Sequence, residues 1–333
     1  MALKDGALIA FSIGLYSTVS ISIVFLNRTM FGKTFPFPVF ISWFQQFVGC
    51  LFLKVLGIIG EQFPSVAVYP NVQVEWSKIK GVSPLTLSFV AMIGLSNTCL
   101  KHTPVSAYLN PKHPVARALT IFFNLLLSMM ILRVTFSARS WMACGVVMLG
   151  FLVGSLDPTT LSLAGILAGV LASFFQALYN IQIKRCLPVV NDDQNELMFY
   201  NLFISSILFV PCIFLFGDAD FWKEFPYKHD PPFWPLIMQL VISSLLGVGI
   251  TFASYLCVKV TSPVTYNVVG YAKSCLQSII GIAVFHEPYS RSSLSGLTLT
   301  LLGSYWYSRV KMAEAQAAVE APDDLEMKNK SDG

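Results

Sequence analysis

Residues 264–285 read VTYNVVGYAKSCLQSIIGIAVF, an apolar stretch with one lysine, Lys273, near its middle. As a helix rising about 1.5 Å per residue, this stretch is long enough to cross a bilayer, and Lys273 lies about 14 Å from its start. A cation at that depth usually faces a water-filled cavity and meets an anion. Snorkelling works near helix ends, and no predicted span carries Asp or Glu near its middle. The sequence therefore favours an anionic ligand as the partner of Lys273.

The composition is that of an integral membrane protein. Of the 333 residues, 55% are hydrophobic and 12% are charged, whereas soluble proteins carry about 25% charged residues. The formal net charge of +4 is spread along the chain without a Lys/Arg run, so no nucleic-acid partner is predicted. Seven scattered cysteines and four histidines without ligand spacing indicate neither a disulfide framework nor a metal site, and no cofactor is expected.

Ten apolar runs of membrane-spanning length indicate an all-α, polytopic membrane protein. An even number of spans places both termini on one side, and the Lys/Arg bias of the loops favours the cytosol. Residues 311–333 are expected to be a disordered cytosolic tail. The predicted spans are 7–27, 37–60, 82–100, 115–132, 139–156, 162–183, 197–217, 233–258, 264–285 and 291–309.

A short internal similarity suggests that the chain is built from two repeats. PVSAY at 104–108 opens the fourth predicted span and PVTY at 263–266 opens the ninth, and each leads to a cation flanked by small residues, Arg117 and Lys273. These spans are five apart, and five crossings reverse the direction of a repeated unit. We therefore predict two inverted five-helix repeats, 1–156 and 157–310, an arrangement typical of transporters that bind substrate at the repeat interface.

The two cations predict a phosphorylated substrate. If Arg117 and Lys273 project into one central cavity, they repel each other unless an anion lies between them. Arginine offers phosphate a two-pronged fork and lysine offers it a point charge. An alternative stays open for Arg117, which follows the segment Asn110–Pro114 closely and could lie at the lumenal membrane surface.

Other polar residues in the apolar runs are candidates for substrate binding. Tyr200 and Asn201 could stack on a nucleobase and read its edge, or Asn201 could bond a neighbouring helix. Asn180 shares a helix face with Gln176 and Tyr179, which predicts either pore lining or helix contact. Three further candidates near Lys273 in the ninth span are Tyr266, Asn267 and Gly270. By contrast, the Ser/Thr residues of the first span are interpreted as small packing residues, and Lys54 as a snorkelling lysine.

Three segments resemble the nucleotide-sugar transporters of the drug/metabolite transporter superfamily, most closely the GDP-fucose transporters of the Golgi membrane. They are SISIVFLNR at 20–28, FYN at 199–201 and TSPVTYNVVGYAKS at 261–274, and the similarity extends over about 7–310. The resemblance implies ten helices in the lipid bilayer, alternating access, exchange against GMP and often a homodimer.

The resemblance also implies roles for individual residues. The FYNN motif of GDP-sugar transporters is implicated in holding guanine; Tyr200 and Asn201 match it, but Leu202 replaces the second Asn. Gly270 to Ser274 resemble the G-x-A-K-x pattern of the fucose type, and Tyr271 is implied, with Tyr266 and Asn267, at the sugar end. In this family the fourth helix is continuous at the point where Asn110–Pro114 intervenes here.

The sequence thus predicts an antiporter that carries GDP-fucose into the Golgi lumen in exchange for GMP, by rocking one five-helix half against the other. One alternative keeps the class and changes the cargo to GDP-mannose, another nucleotide sugar or a phosphorylated metabolite. Two alternatives change the class: a membrane enzyme that uses a nucleotide sugar, or a non-transporting scaffold. An enzyme needs a carboxylate base or metal-binding acids at a membrane face, and no suitable Asp/Glu cluster is present.

Overall fold

The computed structural model describes a chain in which all regular structure is helical. The described residues are 2–33, 35, 37–63, 69–101, 114–133, 135–155, 163–216, 218–230, 233–261, 266, 269, 270, 273, 276, 280, 294–310 and 312–314. Within these residues no strand occurs, so the predicted all-α class is confirmed for them.

Eight long helices lie within the described residues. They are α1 Ala2–Lys33, α2 Pro38–Gln62, α3 Trp76–Lys101, α4 Pro114–Leu132, α5 Ala138–Ser155, α6 Leu163–Cys186, α7 Gln194–Leu215 and α8 Phe233–Val260. Helices α2, α7 and α8 and residues 76–96 of α3 are long and apolar enough to cross a membrane. Residues 294–310 and the six described positions between 266 and 280 are also helical.

These bounds agree with the predicted spans to within a few residues at most ends. The exceptions are α1, which continues beyond its apolar run at both ends, and α3, which begins at Trp76, six residues before its predicted span. The described part of helix α4 is Pro114–Leu132, and proline is well tolerated in the first turn of a helix. Residues 110–113, in the segment that intervenes in the fourth helix of the family, lie outside the described residues. In the predicted tail, 312–314 are helical.

The helices of the two predicted repeats are interleaved. Helix α1 packs on α8, and α6 packs on α3 and α4, while α2 lies against α7 and α8. One core combines Leu53 and Val82 with Tyr200 and Tyr255. A second core combines side chains of α2, α3, α7 and α8 in the same way. In the described part of the chain, each of these cores thus contains residues from both 1–156 and 157–310.

Helix α5 approaches residues 294–310 closely at two glycines. A Cβ atom on Gly150 would lie 2.6 Å from the backbone N of Thr300, and one on Gly303 would lie 2.9 Å from the backbone N of Val147. Small residues at helix crossings allow such backbone contact in membranes, where close packing replaces the hydrophobic effect. The fifth predicted span is thereby joined to the tenth.

Exposed aromatic side chains lie at both ends of the helices. Trp222, Tyr227 and Trp234, between the end of α7 and the start of α8, are 62%, 78% and 58% exposed, and Trp76 at the start of α3 is 68% exposed. Tyr and Trp concentrate at membrane–water interfaces because their rings are apolar and their N–H or O–H groups are polar. The apolar helical lengths between these residues are those of membrane-spanning segments.

Candidate functional site

Lys273 is buried and lies against α1. Its side chain is 7% exposed, and Nζ donates a hydrogen bond to Ser20 Oγ at 2.5 Å. Nζ also lies 5.1 Å from the ring centroid of Tyr16, within the range of a cation–π contact. Because Tyr16 and Ser20 are four residues apart, they present one face of α1 to the amine. Ser20 thus also has a polar partner, beyond the packing role that the sequence indicates, and Tyr16 is a contact of Lys273 that the sequence analysis did not name.

Tyr266 and Gly270 complete this contact with α1. The rings of Tyr16 and Tyr266 lie 4.9 Å apart, and the Tyr266 hydroxyl donates to Ser254 Oγ of α8 at 3.2 Å. A Cβ atom on Gly270 would lie 3.6 Å from the Tyr16 hydroxyl. Tyr16 could have been found from the sequence, as a polar aromatic residue one turn before Ser20 in an apolar helix.

Tyr200 is enclosed by protein. The residue is 0% exposed, and its hydroxyl donates to the carbonyl of Gln73 at 2.8 Å and accepts from the backbone N–H of Glu75 at 3.0 Å. The hydroxyl thus fixes residues 69–75, which connect α2 and α3, to the first turns of α7. Its ring is part of the core that α2, α3, α6, α7 and α8 share.

Asn201 offers a buried hydrogen-bond acceptor. The residue is 1% exposed, and within the described chain its Oδ1 has no donor. One turn further along α7, Ser205 Oγ lies 2.6 Å from the Asn201 carbonyl and 3.2 Å from Gln46 Oε1 of α2. A buried amide oxygen without a donor can accept from an N–H or O–H group of a ligand.

The polar face of α6 is used partly for helix contact. Tyr179 donates from its hydroxyl to the Tyr255 hydroxyl of α8 at 3.3 Å. Asn180 is 0% exposed, and Gln176 Nε2 donates to its Oδ1 at 3.3 Å. The sequence predicts either pore lining or helix contact for this face, and Tyr179 makes a helix contact.

Residues 69–75 are also bonded to the second half of α2 and to the first turn of α7. Lys54 Nζ donates to Asn71 Oδ1 and to the Val72 carbonyl, both at 2.8 Å, so its amine reaches the polar loop at the end of α2. Tyr69 donates to the carbonyl of Asn195 at 2.8 Å. Burial raises the pKa of the Tyr69 hydroxyl above its usual range, so it stays a neutral donor.

Three predicted site residues are described in part or not at all. The backbone of Arg117 lies in the first turn of α4, but its side chain lies outside the described residues, as do Asn267 and Tyr271. The structure thus brings together Lys273, Tyr266 and Gly270 with Tyr16 and Ser20, and it places Asn201 and Asn180 on other helices of the bundle.

Comparison with known proteins agrees with this architecture. A solved crystal structure that is 15% identical has the same fold, with a TM-score of 0.61 over 92% of this chain and 98% of that chain. A relative from Dictyostelium discoideum named GDP-fucose transporter 1 is 34% identical over 92% of this chain and 81% of its own length.

Two more relatives cover most of the chain. One from Drosophila melanogaster, named GDP-fucose transporter, Golgi, is 31% identical over 92% of this chain and 90% of its own length. One from Arabidopsis thaliana, named UDP-xylose transporter 1, is 24% identical over 87% and 80%. Residues 7–308 match the Triose-phosphate Transporter family. The chain therefore belongs to the Triose-phosphate Transporter family, within the drug/metabolite transporter superfamily.

Proposed function

We propose that this transporter carries GDP-fucose into the Golgi lumen in exchange for GMP, with ten membrane-spanning helices and both termini in the cytosol. The observation that carries the proposal is the buried amine of Lys273, bonded to Ser20 inside an apolar helical bundle. A cation in that position suits an anionic cargo. The names of the relatives that are more than 30% identical supply the cargo.

The phosphates are assigned to the two cations of the repeats. Lys273 belongs to the ninth span and Arg117 to the fourth, and we assign the diphosphate of the cargo to both because it would relieve the mutual repulsion of two cations in one cavity. Tyr16 and Ser20 hold the Lys273 amine at the wall formed by α1. Gly270 allows the Tyr16 hydroxyl to lie close to the backbone of the ninth span.

The guanine is assigned to α7. Asn201 Oδ1 needs a donor, and the Watson–Crick edge of guanine carries N–H groups. Tyr200 supports Asn201 by fixing the start of α7 to residues 69–75. Asn180 is assigned to the wall of the path, and the sugar end is assigned to Tyr266, Asn267 and Tyr271.

We propose that the groups of helices that move during alternating access are set by helix packing and not by the order of the helices in the sequence. Helix α1 packs with α8 and Lys273, and α6 packs with α3 and α4. The two groups correspond when each span is paired with the span five positions away in the chain. The first span pairs with the sixth, the eighth with the third, and the ninth with the fourth. This relation supports inverted repeats. We propose that the two groups rock against each other, because rocking 1–156 against 157–310 would have to open both shared cores.

A second cargo remains a candidate because of one relative. UDP-xylose transporter 1 covers 87% of this chain, so another nucleotide sugar is the alternative within the class. Purified protein in liposomes preloaded with GMP, compared with empty liposomes, separates the candidates by uptake of radiolabelled GDP-fucose, GDP-mannose or UDP-xylose. GMP-stimulated uptake of GDP-fucose is expected. Uptake of UDP-xylose alone would replace the cargo, and no GMP stimulation of any uptake would exclude the exchange.

A further inference from the structure

Helix α4 carries two buried polar side chains whose hydrogen-bonding capacity the described part of the protein leaves unused. Asn124 is 0% exposed and Ser128 is 2% exposed. The Asn124 amide nitrogen donates to the Thr120 carbonyl at 2.8 Å, but Asn124 Oδ1 and Ser128 Oγ have no partner among the described residues. Asn124 thus retains its acceptor, while one of its two N–H groups bonds the Thr120 carbonyl.

Ser128 differs in this respect from buried serines such as Ser88 and Ser244, although Ser304 Oγ likewise has no partner among the described residues. Ser88 and Ser244 each donate to the carbonyl four residues earlier in their own helix, at 2.8 Å and 2.7 Å. This local bond is the usual way in which a serine hydroxyl is satisfied inside a membrane helix. Because lipid offers no alternative partner, a hydroxyl without such a bond is unfavourable. The Ser128 hydroxyl is therefore available to a ligand.

The helical register places both residues on the face of Arg117. Asn124 follows Arg117 by seven residues and Ser128 by eleven, so each lies within about 20° of Arg117 around the helix. The neighbouring faces are occupied by helix packing. Leu125 belongs to a cluster with Val147 of α5, and Leu127 belongs to a cluster with Ala177 of α6. The polar stripe therefore runs between the two faces that α4 uses for packing.

We propose that Asn124 and Ser128 contact the hydroxyl groups of the sugar carried by the nucleotide. This inference rests on the proposed function, in which Arg117 meets the diphosphate. Asn124 lies about 10 Å further along the helix, a distance that suits a group next to the diphosphate. A sugar hydroxyl both donates and accepts hydrogen bonds. It can donate to the amide oxygen of Asn124, and it can donate to or accept from the hydroxyl of Ser128. Since Asn201 lies on α7, the base and the sugar occupy different walls of the path.

The test is exchange transport by the full-length protein in liposomes with Asn124→Leu and Ser128→Ala. Both changes remove a polar group at similar size, and Ser88→Ala is the matched control because the Ser88 hydroxyl is bonded within its own helix. We expect the KM for GDP-fucose to rise about tenfold in Asn124→Leu and less in Ser128→Ala. Inhibition by GDP, which lacks only the sugar, should stay unchanged, as should the melting temperature.

The outcomes separate this inference from the function on which it rests. Wild-type protein that does not exchange GDP-fucose for GMP removes the proposed function. Wild-type exchange with an unchanged KM in both variants overturns the sugar contact alone. An equal loss of affinity for GDP and GDP-fucose also overturns it, since the contact would then be with the nucleotide. A lowered melting temperature with unaltered KM would make both residues structural.

Discussion

The carboxylate of Asp218 caps α2 from a position 179 residues away. Asp218 Oδ2 accepts from the backbone N–H of Val39 at 2.7 Å and lies 3.3 Å from the backbone N of Phe40, and the residue is 0% exposed. The first amides of a helix have no partner within it, and their dipoles favour a negative charge. A single buried acid thus fastens the loop after α7 to the start of α2.

Replacing Asp218 should destabilise the protein. Asp218→Ala leaves the two α2 amides without an acceptor, and we expect a loss of about 2 kcal/mol in the free energy of unfolding. Asp220→Ala is the control, because Asp220 is exposed and pairs with the exposed Lys223 at 2.7 Å. Exposed pairs contribute little. Thermal denaturation in detergent measures both, and equal melting temperatures for the two variants would contradict the capping role.

Removing the charge of Lys273 should abolish transport without preventing insertion. In Lys273→Ala the phosphates lose a cation, and a charged hydrogen bond contributes enough to predict at least a tenfold fall in exchange. The control is Lys223→Ala, which removes an exposed lysine. Uptake of labelled GDP-fucose into GMP-loaded liposomes measures the effect, and transport at the wild-type rate would refute the anion site.

Tyr200→Phe tests whether the Tyr200 hydroxyl holds residues 69–75 in place. Phenylalanine keeps the ring but loses the hydroxyl that bonds Gln73 and Glu75, so residues 69–75 should exchange amide hydrogen faster and stability should fall by about 1 kcal/mol. Hydrogen-exchange mass spectrometry follows the segment. The control is Tyr227→Phe at a site that is 78% exposed. Unchanged protection of 69–75 would show that the hydroxyl does not hold it.

Two glycines of α5 should respond in opposite directions to alanine. In Gly150→Ala the new Cβ meets the Thr300 backbone N at 2.6 Å, so the helices must separate and we expect a loss of about 2 kcal/mol. In Gly145→Ala no described residue lies within 4 Å of the new Cβ, and alanine should stabilise the helix by up to about 1 kcal/mol. Melting temperatures that move together would contradict the close crossing of α5 and residues 294–310.

The sequence by itself determined where most helices begin and end, and that Lys273 is a buried cation. Both depend on properties of short stretches of the chain. In lipid, the backbone groups of a spanning segment must be hydrogen-bonded within a helix, so the length of an apolar run predicts the length of the helix.

Only the tertiary structure decided which helices meet. Apolar helices have similar surfaces toward lipid, so partner choice depends on small residues and shape, which leave no periodic signal. The interleaving of the repeats, the contact of Tyr16 and Ser20 with Lys273, and the cap that Asp218 provides all join residues far apart in the chain. The contacts of Tyr200 were also decided by the tertiary structure. Its sequence motif suggests contact with a nucleobase, but its hydroxyl bonds the backbone of residues 73 and 75, which are far away in the chain.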